Sequence, residues 1–112
     1  YIAGLTILGG EPLEKENQAG VLKIIKKVKE EFPSKSIWLY TGFTYDEITV
    51  DKTCRANTSF IKDILANIDV LVDGRFIEEE KDICLHFRGS RNQRIIDVKE
   101  TLKNNKLTIL DI

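Results

Sequence analysis

The pattern that most constrains this fold is a strand, a helix and a second strand joined by short connections. Leu5-Thr6-Ile7-Leu8 is a short apolar run with β-branched members and reads as a buried strand. The spacing then predicts a helix from Glu14 to Phe32. Val21, Leu22, Ile24, Ile25 and Val28 make its apolar face, and Lys23, Lys26, Lys27 and Lys29 its solvated one. Phe32-Pro33-Ser34 stops the helix. Ile37-Trp38-Leu39-Tyr40 is a second strand, closed by Thr41-Gly42. Strands connected this way pair in parallel through a right-handed crossover.

Beyond this unit the pattern weakens. A helical turn is predicted at Asp46-Glu47-Ile48, followed by a loop. A helix carrying Ile61, Ile64 and Leu65 comes next, with Thr58 or Ser59 as its cap. Ile68 to Val72 is a third strand and ends in Asp73-Gly74-Arg75-Phe76. Residues 78–82 form an acidic loop, and residues 84–87 a short extended segment containing the sole histidine, His86. Residues 95–98 read as extended, residues 99–103 as one or two helical turns, and residues 107–110 as a final strand. The expected class is α/β with mostly parallel strands, in one domain over residues 1–112.

The strand ends carry the chemistry. The first strand runs into Gly9-Gly10-Glu11-Pro12. Glycine lets a ligand approach the main chain closely, and Pro12 sets φ ahead of the helix. Unpaired strand-end carbonyls with the Glu11 carboxylate suit a donor-rich cation such as an α-ammonium group, and suit a phosphate badly. A tight strand-to-helix connection is the other reading. The second strand ends in Thr41-Gly42 and the third in Asp73-Gly74-Arg75. In parallel α/β sheets and barrels ligands bind at that edge, where the three polar ends would converge.

Composition excludes several classes. A net charge of −1 gives no argument for nucleic acid or an anionic membrane surface, and no apolar run is long enough to span a bilayer. Cys54 and Cys84 are the only cysteines and form no cluster spacing, so they read as structural thiols of a cytoplasmic protein. With one histidine, metal sites that need several imidazoles are excluded within the chain. Arg88, Arg91 and Arg94 stand close together in the polar stretch Arg88-Gly89-Ser90-Arg91-Asn92-Gln93-Arg94. They could meet a phosphate, a carboxylate or a protein partner, or form a solvated loop.

Leu8-Gly9-Gly10-Glu11-Pro12-Leu13 resembles the glycine-glycine-acid-proline motif of radical S-adenosylmethionine enzymes. Three further stretches follow in order: Ile37-Trp38-Leu39-Tyr40-Thr41-Gly42-Phe43, Val70-Leu71-Val72-Asp73-Gly74-Arg75-Phe76, and the arginine stretch from Phe87 on into Ile95-Ile96-Asp97. Together they resemble the activating-protein family of anaerobic ribonucleoside-triphosphate reductases, over nearly the whole chain. The resemblance implies a partial TIM-type barrel and a [4Fe–4S] cluster that cleaves S-adenosylmethionine. The resulting radical would install a glycyl radical on the reductase, with an electron donor such as flavodoxin. It implies cofactor contacts at Gly9, Gly10, Glu11, Pro12, Thr41, Asp73 and Arg75, where Arg75 stands in place of a lysine and would suit the methionine carboxylate. It also implies that Arg88, Arg91 and Arg94 dock the partner.

One departure is plain. The family holds its cluster through Cys-x-x-x-Cys-x-x-Cys ahead of the glycine motif, and no such spacing occurs here. The chain, which opens on Tyr1, is therefore read as a fragment carrying the cofactor-binding portion, inactive alone. Two other readings stand beside it. One is a non-catalytic S-adenosylmethionine-binding module. The other is an activase of a different glycyl-radical enzyme, such as pyruvate formate-lyase.

Overall fold

The computed structural model describes residues 4–7, 11–85 and 87–110. Four strands, β1 (Gly4–Ile7), β2 (Ser36–Tyr40), β3 (Val70–Asp73) and β4 (Arg94–Asp97), form one sheet in that order. β1, β2 and β3 are parallel, with Ile7 opposite Leu39 and Tyr40 opposite Val72. β4 runs antiparallel to β3 and sets Asp73 opposite Arg94. The class is mixed α/β, as the sequence predicts.

Alternation along the strands sorts the core. Ile37, Leu39, Leu71 and Ile96 point to the face covered by helices and are fully buried. Val70, Val72 and Ile95 point to the other face, with Trp38, Tyr40 and Leu110 packed against them. β3 is buried at every position, as expected for an inner strand of a sheet covered on both sides.

α1 (Gln18–Glu31) starts later than predicted, because a 3-10 turn occupies Lys15–Asn17 first. Leu22 and Ile25 bury its apolar face, whereas Ile24 is half-exposed at the margin. α2 (Tyr45–Thr49) covers the predicted turn. Thr44 caps it: the hydroxyl accepts from Glu47 N at 3.2 Å and the Glu47 carboxylate accepts from Thr44 N at 2.8 Å. Thr44→Ala is expected to cost about 1 kcal/mol of stability, read by urea denaturation. An unchanged midpoint would mean that α2 is held by its packing on α3 and the buried Ile48 without help from the cap.

α3 (Phe60–Ala66) buries Ile61, Ile64 and Leu65 as predicted. Ser59 occupies the cap position without a side-chain bond, and the Thr58 hydroxyl accepts from Phe60 N at 3.2 Å. α4 (Val98–Asn104) follows β4 directly and ends at Asn105 in the left-handed region, φ 51°.

Two expectations are corrected. Of residues 84–87, the described ones, 84, 85 and 87, do not form an extended segment. The Asp82 carboxylate accepts from Cys84 N at 2.9 Å and the Asp82 carbonyl from Leu85 N at 3.2 Å, closing a turn, and Phe87 has φ 66°. His86 lies outside the described residues, as do Leu8, Gly9 and Gly10. Residues 107–110 return along β4 but form only an isolated bridge, Ile96 to Ile109, flanked by Asp97 N to Thr108 O at 2.8 Å and Leu110 N to Ile95 O at 2.7 Å. No helix among the described residues is long and apolar enough to cross a membrane.

Candidate functional site

The ends of β2 and β3 and the start of β4 meet at one edge of the sheet. There they frame a groove of about 730 Å3, lined by Gly42, Thr44, Asp46, Glu47, Asp73, Gly74, Arg75, Ile77, Asn92 and Arg94. The volume falls in the range of about 300–1,000 Å3 usual for small-molecule sites.

Asp73 anchors the groove. Its residue is fully buried, and the carboxylate accepts from Tyr45 N at 2.7 Å, from Arg94 Nε at 3.0 Å and from Arg94 Nη2 at 2.5 Å. The bidentate fork fixes the Arg94 guanidinium, and Asp73 holds its pKa above the ordinary value, so it stays charged at every working pH. Arg75, two residues on, is exposed, and its side chain has no partner among the described residues. The resemblance sets Asp73 and Arg75 together near the cofactor; in the structure the cation on Asp73 is Arg94, from the antiparallel neighbour.

Glu11 lies behind the Gly42 wall. Its carboxylate accepts from Leu13 N at 2.9 Å, Thr41 Oγ1 at 2.7 Å and Gly42 N at 2.7 Å. It therefore straps the chain after β1 to the end of β2. A Cβ on Gly42 would sit 3.3 Å from Glu11 Oε1, so glycine permits the close approach. Thr41 is buried, and its hydroxyl donates to Glu11 and accepts from Phe43 N at 3.2 Å, which leaves it inside the fold rather than facing the groove. Pro12 is buried beside this strap.

The arginine stretch is built into the fold. Arg88 Nη1 donates to the carbonyls of Arg91 and Gln93, and its buried Nε meets no acceptor among the described residues. Gln93 Oε1 accepts from Gly89 N at 2.8 Å and Ser90 N at 3.1 Å, while its Nε2 donates to Gly74 O at 3.0 Å. Asn92 Nδ2 donates to Arg75 O at 2.7 Å. These bonds hold the chain after β3 in place, with Gly74 at φ 100°. Of the three arginines, Arg88 is spent on carbonyls of its own loop, Arg94 is forked to Asp73 on the groove wall, and Arg91 alone is exposed.

Sequence reasoning also missed Gln18. It is fully buried, and its Nε2 donates to Leu13 O at 2.8 Å and Ala56 O at 2.9 Å. No local signal marks it, since a glutamine in a first helical turn is ordinarily solvated. On the surface, Arg55 grips Glu14 in a fork of 2.7 and 3.0 Å and holds that carboxyl below its usual range. Because the folded pKa is depressed, the pair's contribution is present above the ordinary glutamate pKa and is lost as pH falls through the lowered value. Glu14→Gln is expected to flatten that acid limb of a stability–pH curve slightly, both side chains being solvated.

The chain belongs to the 4Fe-4S single cluster domain family, whose profile matches residues 1–96. Among curated proteins it is similar to the anaerobic ribonucleoside-triphosphate reductase-activating protein of Vibrio cholerae, 45% identical over 92 residues, covering 82% of this chain and 54% of that protein. The protein of the same name from Haemophilus influenzae is 46% identical over 92 residues, with 82% and 54% covered, and that of Enterobacteria phage T4 is 35% identical over 95 residues, with 85% and 53% covered. The chain thus spans about half the length of these relatives. No solved structure matches.

A cluster does not fit the described residues. Cys84 is exposed, Cys54 packs partly into the core, and no group of three or more His, Cys, Asp or Glu among the described residues could hold a metal.

Proposed function

We propose that this chain is the S-adenosylmethionine-binding portion of an activating enzyme for anaerobic ribonucleoside-triphosphate reductase, belonging to a partial barrel of which this sheet is part. The observation that carries the reading is the groove at the strand edge, lined by two arginines and a buried Asp73 from separate segments, with the Glu11 strap behind its Gly42 wall. The names of the relatives support the reductase as partner.

In this reading Gly9, Gly10, Glu11 and Pro12 offer main-chain carbonyls to the methionine ammonium. Glu11 shapes that segment through its strap, Thr41 supports it, and Asp73 and Arg75 edge the cofactor. Bound S-adenosylmethionine would supply a cleavable sulfonium. The chain's own residues bind and orient it, and an electron donor such as flavodoxin would serve the intact enzyme. Arg91 is the arginine left to meet the reductase.

Calorimetric titration with S-adenosylhomocysteine, which keeps the adenosyl and amino-acid groups, is the test. Saturable binding with one-to-one stoichiometry is expected, and no binding overturns the reading. A second reading is a binding module without catalysis, to which the same groove would belong. Reductase activation by a longer natural protein that contains this chain would overturn that alternative.

A further inference from the structure

The groove carries charges of both signs. Asp46, Glu47 and Asp73 line it with Arg75 and Arg94. Glu47 is tied to Thr44 N, and Asp73 to Arg94 and Tyr45 N. Asp46 is exposed and acts on Arg94 from further off. A phosphate dianion would face these carboxylates at close range. A single carboxylate belonging to a zwitterion would not be penalised in the same way, because it carries one negative charge and its group is neutral overall.

The two guanidiniums differ in what binding asks of them. Arg75 is exposed and would lose rotamer freedom on gripping a ligand. Arg94 is held by Asp73 before any ligand arrives. A guanidinium has five N–H donors, and two of those on Arg94 point to Asp73. The other three belong to a side chain that keeps 29% of its surface exposed on the groove.

We infer that Arg94 is the specificity-determining residue that recognises the carboxylate of the ligand's amino-acid group, with Arg75 in a secondary role. This rests on the groove being the S-adenosylmethionine site. The fixed fork gives a preorganised donor pair, so most of its interaction energy remains available for affinity.

The test compares two ligands on each protein: S-adenosylhomocysteine, which has the carboxylate, and 5′-methylthioadenosine, which lacks the amino-acid group. Arg94→Lys keeps a cation for Asp73 and loses the fork. Arg94→Gln loses both and is followed by thermal melting to confirm that it folds. S-adenosylhomocysteine affinity should fall about tenfold or more in Arg94→Lys, with methylthioadenosine affinity unchanged, while Arg75→Ala should lose only a few-fold. A parallel fall for both ligands would mean that Arg94 acts only through the fold, and would overturn the inference. So would an unchanged affinity for S-adenosylhomocysteine. If the unsubstituted chain binds neither ligand, the site reading fails and the inference with it, an outcome told apart by the protein in which it occurs.

Discussion

Asp73→Ala should destabilise the chain by about 3 kcal/mol, near the lower end for breaking a buried ion pair. The substitution leaves Tyr45 N and two Arg94 donors without their acceptor. Tyr45 N opens α2 from the inside, so its loss falls on the helix start as well as on the sheet edge. Arg94 keeps some access to water, which keeps the effect from the top of the range. Urea denaturation measures it. A loss below about 1 kcal/mol would show that solvent replaces the carboxylate freely and that the edge is not held by this residue.

Glu11→Ala should have a comparable effect, about 2–3 kcal/mol, because hydrogen bonds to a charged acceptor are worth about 1.5–3 kcal/mol each and the half-buried site lets water recover part of the loss. Leu13 N, Thr41 Oγ1 and Gly42 N all lose their acceptor. Glu11→Gln separates two roles for the side chain. If the carboxylate is a strap, the amide meets donors where an acceptor is needed, and the melting temperature falls along with ligand affinity. If the carboxylate instead serves a bound ammonium directly, affinity falls while the melting temperature holds.

Much of the frame was legible. The apolar runs of β2 and β3 and the heptad-like spacing of α1 follow directly from burial, and the polar strand ends at Thr41-Gly42 and Asp73-Gly74 mark the edge where the groove lies. Arg94 was legible as a cation but not as a groove residue. Parallel strands present the residues after their C-terminal ends to the ligand edge. β4 is antiparallel, so it presents its first residue to that edge. Arg88 misled for a related reason. A charged residue in a polar stretch reads as solvated, and only the closed loop reveals carbonyls that need its donors. Gln18 shows the same limit, since its partners Leu13 and Ala56 come from the turn before α1 and the loop before α3.

The hydrogen bonds of residues 88–93 have an implication for how this segment tolerates insertion and deletion. Exposed polar connections ordinarily accept changes in length. Here Gln93 ties Gly89 and Ser90 on one side to Gly74 on the other, and the next residue enters the sheet opposite Asp73. Removing a single residue would slip β4 by one position. Every side chain on that strand would then change faces: Ile95 would stand against the buried carboxylate, and Arg94 would leave it. Natural variants of this chain should accordingly vary in the identity of Arg91 while keeping the spacing between Gly89 and Arg94 constant.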